Sequence, residues 1–399
     1  MACLRLHRAL SELNIDSRVL VRNSVGNHDG VYIASPPQSK WRTRLDRLPL
    51  VRYPKKKIFA WWSVNWINSG PRPGFADWTP DLIHAHWIGD GYLPIEWLTS
   101  TGKPFVWTMH DMWPFTGGCH YTRDCHRFHS GCGTCPQLGS RDPHDLSYRS
   151  ATRKEKAWGM AKGAFVSPSV WLAETAKEST ILKNARIEVI PNGIDGKLFS
   201  PGDRSEARKQ LSLPKDEHIV LTGAVGAVSD ERKGFHLLTA ALRICRETGR
   251  AENWRLAVFG ADAGPDESTV GIPVTYLGSV RSESDLPTAY RAADLFALPS
   301  LQDNLPNTVV EAMACGKPVV GFRAGGLATM IANGKTGRLA EPFSPESLAA
   351  ALCDAMKASS SIQSSQDCRQ EFEHTYAWPG PAQRYAELYA DIIGGAVKP

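Results

Sequence analysis

Residues 298–320 have the sequence LPSLQDNLPNTVVEAMACGKPVV, which predicts a strand, a polar turn, a helix and a second strand. The turn contains Asp303, and Asn307 is expected to cap the helix, whose first N–H groups then favour a phosphate. Glu311 follows one helical turn later, where its carboxylate can accept two hydrogen bonds from a ribose diol. Asp303 and Glu311 therefore suit the hydroxyl groups of a ligand better than a metal ion.

Short apolar runs alternate with helix-length segments on both sides of this stretch. After a helix over 2–13 they lie at 17–22, 81–87, 103–109 and 163–167, and a second series lies at 187–192, 218–222, 255–259, 274–277, 294–298 and 318–322. Such alternation is typical of parallel sheets with crossover helices, and 399 residues suffice for two domains. We predict an α/β fold with two Rossmann-like, doubly wound domains, residues 1–185 and 186–377, which face an interdomain cleft.

The composition is that of a globular chain in the cytoplasm. Hydrophobic residues make up 42% and charged residues 22%, which excludes fibrous and largely disordered proteins. No window holds 18 uninterrupted apolar residues, and Arg5 and Glu12 interrupt the apolar positions of the N-terminus. Neither a membrane-spanning helix nor a signal sequence is therefore predicted.

Lys40–Lys57 holds eight basic residues and one acid, Asp46, and nine of the 13 tryptophans lie in the first 113 residues. One interpretation is a solvated loop beside a core rich in tryptophan, because charged runs are usually hydrated and tryptophan is usually buried. The other is a surface whose basic and aromatic side chains meet an anionic membrane or a lipid phosphate. The second interpretation predicts a peripheral protein at the inner face of the membrane.

Four of the nine cysteines lie within 17 residues: Cys119, Cys125, Cys132 and Cys135. In a cytoplasmic chain this spacing favours a structural zinc ion held by four thiolates, and buried or disulfide-paired thiols are the alternative. Three histidines interleave with them as reserve ligands: His120, His126 and His129. Because the run lies inside a sheet domain, a zinc ribbon that binds nucleic acid is not expected.

Asp303 and Glu311, with seven residues between them, resemble the acidic-x7-Glu signature of the retaining glycosyltransferases of family 4. Further motifs agree with this family in order and spacing: Thr108–Asp111, Ser167–Leu172, Val189–Asp195, Arg232–Gly234, Val258–Gly260, Tyr276–Val280, Ala292–Ser300 and Gly325–Gly326. The likeness extends over nearly the whole chain. It implies the GT-B fold, a nucleotide-diphosphate sugar held mainly by the second domain, and a final helix, residues 378–399, that packs back on the first domain.

The resemblance also assigns roles to single residues. Glu311 is expected to hold the ribose, and Asp303, at a position where the family usually has glutamate, the hydroxyl groups of the sugar. Lys233 and Arg232 are expected to neutralise the diphosphate and to stabilise the charge that develops on it. Three residues complete the expected donor site: Asn304, Leu305 and Asn307.

His110 and Asp303 are the catalytic candidates that the resemblance gives, and His110 is expected to contact and orient the donor sugar. His84 and His86 are placed on the acceptor side. The family implies neither a catalytic metal nor a protein nucleophile. The implied enzyme is a retaining hexosyltransferase that moves a sugar to a glycan or lipid-linked acceptor in surface polysaccharide biosynthesis.

The residues around the cysteines, Trp113–His120 and Cys135–Pro136, resemble a bacterial subgroup that acts in exopolysaccharide or colanic-acid-type assembly. Relatives usually open with a strand and a Gly-Gly-Ala loop ahead of the first helix, so we expect the true start upstream of Met1. Two alternatives remain: a sugar-nucleotide epimerase or phosphorylase on the same fold, and a catalytically impaired nucleotide-sugar-binding protein. No G-x-G-x-x-G follows a predicted strand, which argues against an oxidoreductase.

Overall fold

The computed structural model describes residues 2–22, 28–34, 40–67, 78–159, 162–223, 226, 228–279, 282–359 and 361–396. The chain divides into two compact units, Met1–Pro191 with Pro381–Pro399, and Asn192–Gly380. Three parts of the sequence predictions lie outside the described residues. They are Met1, which we expect not to be the true start, Val280, the last residue of one family motif, and positions 397–399 of the predicted final helix.

The first unit contains two parallel sheets. One pairs β1 (Val19–Val21) with β2 (Val31–Ile33), and the other has the order β3 (Ile83–Ala85), β4 (Phe105–Thr108), β5 (Gly163–Ser167) and β6 (Ile187–Val189). Its helices before the second unit are α1 (Ala2–Glu12), α2 (Lys40–Asp46), α3 (Trp97–Ser100), α4 (Leu146–Trp158) and α5 (Val170–Lys177). Short 3-10 turns cover Leu48–Arg52, Trp113–Phe115 and Arg127–Ser130.

The second unit is built on a six-stranded parallel sheet. Its strands are β7 (His218–Gly223), β8 (Trp254–Phe259), β9 (Val274–Tyr276), β10 (Leu295–Leu298), β11 (Val319–Phe322) and β12 (Gly337–Ala340), in the order β12-β11-β10-β7-β8-β9. Its helices are α6 (Arg204–Gln210), α7 (Phe235–Glu247), α8 (Glu267–Val270), α9 (Leu286–Ala292), α10 (Asn307–Ala314), α11 (Leu327–Met330), α12 (Pro345–Ser359) and α13 (Ile362–Thr375), with 3-10 turns at Glu231–Lys233 and Glu283–Asp285.

Apolar clusters cover the sheet of the second unit on both faces, as a parallel sheet requires. The strand β10 is buried along its whole length, for example, because helices pack on each side of it. The predicted α/β fold with two parallel-sheet domains is therefore confirmed. No helix among the described residues is long and apolar enough to cross a membrane.

The structure corrects the assignment of 187–192 to the second domain. Strand β6 pairs with β5 in the first unit, and the units divide after Pro191 rather than after residue 185. The next residue along, Ile190, is buried with Tyr385 of the final helix, α14 (Gly380–Ala396), against the first sheet. A three-residue edge strand resembles a core strand in sequence, so only these packing partners show which sheet it joins.

Candidate functional site

The order of strands in the second unit reverses between β7 and β10, because the chain leaves β7 toward β8 and returns on the other side of β7 with β10. Ligands of such sheets bind at the carboxyl ends of the strands at this switch point. The turn Glu231–Lys233 follows β7 and residues 299–306 follow β10. The topology therefore brings Lys233 beside Asp303, two residues that lie 70 positions apart in the sequence.

These two strand-end turns contact each other through their backbones. The N–H of Leu301 donates a hydrogen bond of 2.8 Å to the carbonyl of Arg232. Gly234 has a φ of +69°, and a Cβ atom at this position would lie 2.0 Å from the carbonyl oxygen of Pro299. Only glycine fits this close approach without a shift of the chain, so the sequence Lys-Gly is a condition for placing Lys233.

The pair Lys233 and Asp303 forms the charged centre of the site. The Nζ atom of Lys233 lies 2.7 Å from Oδ2 of Asp303, and Nη1 of Arg232 lies 3.3 Å from the same oxygen. Burial raises the pKa of Asp303, but the two cations outweigh it and hold that pKa at about 2. Asp303 is therefore a carboxylate at neutral pH, able to accept hydrogen bonds from hydroxyl groups.

Arg232 and Lys233 differ in how they are held. The guanidinium of Arg232 also donates to the carbonyl of Gln302 over 2.9 Å and pairs with Asp230 over 3.3 Å, so it braces the two turns against each other. Lys233 ends in one ammonium group beside Asp303, where a phosphate could compete for its protons. Lys233 is thus the better placed of the two predicted cations to meet an anionic ligand.

The start of α10 corrects the prediction that Asn307 caps this helix. Pro306 occupies the N-cap position with φ −66° and ψ 117°, and Asn307 is the first helical residue. The proline ring fixes the backbone at the entry to the helix, so no side-chain cap forms there. The Oδ1 atom of Asn307 instead accepts a hydrogen bond of 2.9 Å from Nδ2 of Asn192.

Glu311 lies one turn into α10 and is buried, with 3% of its surface exposed. Its Oε2 atom accepts a hydrogen bond of 2.8 Å from the hydroxyl of Tyr290, a fully buried residue of α9. Asn304 and Leu305 are also buried in the turn before α10, and the N–H of Asn304 donates to Asp303 over 3.2 Å. Sequence reasoning missed Tyr290, whose contact with Glu311 depends on the packing of α9 on α10.

The predicted histidines of the first unit form one cluster at the ends of β3 and β4. The rings of His84 and His86 stack with centroids 4.3 Å apart, and Nδ1 of His86 lies 2.9 Å from Nε2 of His110. His84 also hydrogen-bonds Tyr389 of α14 over 2.6 Å and Thr108 over 2.8 Å. Desolvation lowers the pKa of His84 to about 3 and that of His110 to about 4, so both rings are neutral at pH 7.

Asp111, next to His110, is held by one of the predicted reserve metal ligands. Nδ1 of His120 lies 2.7 Å from Oδ2 of Asp111, and Nε2 of His120 lies 2.9 Å from the hydroxyl of Ser63. Burial raises the pKa of Asp111, but His120 and the N–H of Trp113 lower it below its usual range. Both ring nitrogens of His120 are occupied, so the structure contradicts its role as a reserve ligand.

The four clustered cysteines are all reduced and line one cavity of about 20 Å³: Cys119, Cys125, Cys132 and Cys135. Burial raises the pKa of Cys132 to about 12, so this thiol is protonated at neutral pH. Within the described ranges, no three His, Cys, Asp or Glu side chains form a group that could hold a metal ion as they stand. The zinc ion expected from the spacing stays a prediction.

The basic stretch Lys40–Lys57 forms α2 and the following 3-10 turn on the surface of the first unit. Four tryptophans are largely exposed, which contradicts the interpretation that all of them build the core: Trp41, Trp61, Trp66 and Trp87. Asp46, the one acid of the stretch, is 1% exposed and accepts the N–H of Asn65 and of Trp66. The Asp46 side chain therefore faces inward, while six basic residues of the stretch are exposed: Arg44, Arg47, Arg52, Lys55, Lys56 and Lys57.

Residues 2–197 match the family model described as glycosyltransferase family 4, and residues 219–358 match the model described as glycosyl transferases group 1. Among curated proteins, D-inositol 3-phosphate glycosyltransferase 2 of Catenulispora acidiphila is 32% identical over 221 residues, which are 52% of this chain and 51% of that protein. The D-inositol 3-phosphate glycosyltransferase of Corynebacterium glutamicum is 32% identical over 224 residues, 52% of each. The chain spans about half the length of the curated relatives it matches.

Solved structures share the fold. The sucrose-phosphate synthase of Thermosynechococcus elongatus superposes with a TM-score of 0.70 and 20% identity, over 98% of this chain and 92% of that one. Anabaena HepE in complex with UDP-glucose superposes with a TM-score of 0.56 and 21% identity, over 78% of this chain and 79% of that one. At these identities the likeness supports the GT-B fold alone.

Proposed function

We propose that the chain transfers a hexosyl group from a nucleotide-diphosphate sugar with retention of configuration, because residues 2–197 and 219–358 match two glycosyltransferase family models and the fold is GT-B. The observation that carries this proposal is the charged centre at the switch point of the second unit. Lys233 and Asp303 supply there a cation and a carboxylate, and α10, the helix that follows Asp303, carries the buried Glu311 one turn in.

The chemistry of this centre fits the two ends of such a donor. The ammonium group of Lys233 would stabilise the negative charge that grows on the diphosphate as the glycosidic bond breaks, which is a gain specific to the transition state. Asp303, ionised and buried, would accept hydrogen bonds from hydroxyl groups of the sugar, and Glu311 from the ribose. The Anabaena protein is named for complexes with UDP and UDP-glucose, which supports a uridine donor as the first to test.

We assign to His110 a contact with the donor sugar, as the family resemblance implies. Its ring is neutral, so it would offer a hydrogen bond without adding charge near the reacting carbon. His86 bonds His110 and His84 bonds Tyr389, and we place these two histidines beside the acceptor. No side chain of the first unit is proposed as a covalent nucleophile.

We propose further that the acceptor is a lipid-linked glycan of surface polysaccharide assembly, met at the cytoplasmic face of the membrane. The support is the surface around α2, where Trp41, Leu48 and Val51 are 53%, 54% and 70% exposed. Exposed cations surround them: Arg44, Arg47, Arg52, Lys55, Lys56 and Lys57. Each basic residue near an anionic surface contributes about 1 kcal/mol, and the apolar side chains add burial in the interface.

Transfer is tested by incubating the chain with a panel of nucleotide sugars, with and without an acceptor extract of membrane lipids, and measuring the nucleotide diphosphate released. We expect release only with the correct donor and acceptor together, and an anomeric configuration in the product, read by NMR, that matches the donor. Release or conversion of the donor without an acceptor would favour an epimerase or phosphorylase. Binding of the donor without any turnover would identify a catalytically impaired binding protein.

The relatives' names suggest a second acceptor to include, a phosphorylated cyclitol such as D-inositol 3-phosphate. Turnover of this water-soluble acceptor in the absence of lipid would overturn the lipid-linked acceptor and leave the transferase proposal standing.

Membrane contact is tested by co-sedimentation with vesicles that contain anionic lipid. Replacement of Lys55, Lys56 and Lys57 by glutamate should reduce the bound fraction at low salt at least tenfold, since the change removes three cations and adds three anions. Replacement of three exposed lysines outside the stretch, Lys156, Lys177 and Lys183, by glutamate is the matched control and should have little effect. Equal loss in both variants, or binding that ignores salt, would refute a docking surface at α2.

A further inference from the structure

We propose that the loop between β4 and α4 binds one structural zinc ion through the four thiolates of Cys119, Cys125, Cys132 and Cys135. The four side chains are spread over 17 residues of the loop and line the same cavity of about 20 Å³. A cavity of this size holds one particle about as large as a water molecule. Four thiolates around one such position are the ligand set of a closed, structural zinc site.

The backbone bends sharply between the last two of these cysteines. Gly131, Cys132, Gly133 and Thr134 have φ angles of +90°, +64°, +94° and +46°, four left-handed residues in succession. Two of them are not glycine, and each such residue costs on the order of 1 kcal/mol unless its surroundings fix it. The bend returns the chain so that Cys135 lines the same cavity as Cys132.

The start of α4 holds this bend in place. The N–H of Cys135 donates to Asp145 over 2.8 Å, and the N–H of Gly133 donates to the hydroxyl of Ser147 over 2.9 Å. Asp145 is at the same time the N-cap of α4. The loop is thus fixed by hydrogen bonds of its own, and two of the four thiols are positioned before any ion binds.

A buried lysine lies beside the thiols, and burial lowers its pKa to about 7. Lys154 is 0% exposed, and its Nζ atom donates to the carbonyl of Trp113 and, over 2.9 Å, to that of Thr116. Among the described residues no ion pair joins Lys154 to a carboxylate, and Cys119, Cys132 and Asp111 are close enough to act on its charge. A zinc ion with four thiolates has a net charge of −2, which would stabilise a buried ammonium group.

A backbone hydrogen bond favours the thiolate form of one of the four cysteines. The N–H of Gly117 donates to Sγ of Cys132 over 3.2 Å, and such a bond is stronger to a thiolate than to a thiol. Two of the three interleaved histidines are less suited, because both nitrogens of His120 are occupied and His129 pairs with Glu178 over 3.1 Å. The cysteines are therefore the ligands that we assign.

Within the part of the chain that the structure describes, the cysteine side chains as placed do not form a group that could hold a metal ion. Neutral thiols have no charge attraction that would bring them together. Binding would exchange four protons for one ion, Zn²⁺ + 4 R–SH giving [Zn(SR)4]²⁻ + 4 H⁺, and the new Zn–S bonds of about 2.3 Å would close the group. No oxidation is involved.

The ion would fix more than the loop itself. His120 follows Cys119 directly and holds Asp111, the neighbour of His110, over 2.7 Å. Pinning Cys119 would therefore position the segment that carries His110. The inference does not rest on the proposed transferase activity, and its test measures metal content rather than turnover.

Metal content of the chain, purified under reducing conditions with zinc in the growth medium, gives the first test. We expect about one zinc per chain, and after exchange with cobalt(II) we expect the intense visible bands and the sulfur-to-cobalt charge-transfer band of a tetrahedral site with four thiolates. Cys132→Ser and Cys135→Ser should each lose at least tenfold in zinc affinity. Cys3→Ser removes a thiol outside the cluster and should keep the full metal content.

Three results would overturn the proposal. The first is a folded chain that has no zinc and gives no cobalt spectrum. The second is a mass decrease that shows disulfides among the four cysteines under reducing conditions. The third is a double variant, Cys132→Ser with Cys135→Ser, that still retains one zinc per chain. Should the cysteine variants fail to fold, the wild-type chain is titrated with a mercurial reagent. Release of one zinc in step with the reaction of four thiols supports the site, and reaction of the four thiols without release of zinc overturns it.

Discussion

Two glycines of the second unit can be compared to measure how much the close contact between the turns after β7 and β10 contributes to stability. Gly234 and Gly249 have nearly the same left-handed φ angle, +69° and +67°. Alanine at either position therefore pays the same left-handed penalty, about 1 kcal/mol. A Cβ at position 249 meets nothing within 4 Å, whereas one at 234 would lie 2.0 Å from the carbonyl oxygen of Pro299.

The additional cost at position 234 follows from this distance. Ordinary contact begins near 3.4 Å, so the turns must separate by on the order of 1 Å, and overpacking of this kind costs about 1–3 kcal/mol. We expect Gly249→Ala to lower the free energy of unfolding of the second unit by about 1 kcal/mol and Gly234→Ala to lower it by about 2–4 kcal/mol. For a unit of this size each kcal/mol shifts Tm by about 2–4 °C.

Thermal unfolding and donor kinetics check the pair together. Gly234→Ala also moves Lys233 away from Asp303, and a misplacement of about 1 Å can cost about 10²-fold in rate, so its kcat/KM for the donor should fall while that of Gly249→Ala stays near wild type. If the two variants unfolded at the same temperature, or if Gly234→Ala kept the wild-type kcat/KM, the tight contact between the turns would be refuted.

Four further results are expected. Lys233→Ala should reduce kcat by about 10²–10³, and Glu311→Ala should mainly weaken nucleotide binding, both measured by steady-state kinetics. The pKa of Asp303 is held at about 2 in the folded state, so its ionisation adds to the free energy of unfolding of the wild type above pH 4. This contribution is lost as the pH falls from 4 to 2. Urea titrations of Asp303→Asn over the same pH range should not show that loss. Because folded His84 and His110 bind protons only near pH 3 and 4 while unfolded histidine does so near 6.5, the unfolding free energy of the first unit should fall as the pH drops below 6.5, followed by urea titration at each pH.

The second unit was the easier one to predict, for a physical reason. Buried parallel strands such as β10 are continuous apolar runs, and the residues of a strand-end site follow them directly in the sequence, as Asp303 does. The pairing of Lys233 with Asp303 also follows from topology, once β7 and β10 are neighbours. What the sequence did not indicate was the N-cap at Pro306, because Asn307 has the better capping side chain and only the backbone angles exclude it.

The first unit depends on contacts that no local pattern encodes. His84 bonds Tyr389 across 305 positions, and a lone histidine in a short strand carries no sign of that partner. Likewise, the tryptophans divide between core and surface by the fold: Trp107 is 2% exposed inside β4, whereas Trp41 is 53% exposed on α2. Composition alone could not choose between a tryptophan-rich core and an aromatic surface, and both occur. The exposed Trp41 beside the cations of α2 is the observation on which the proposed contact with an anionic surface rests, and the vesicle experiment tests whether such a surface covers it.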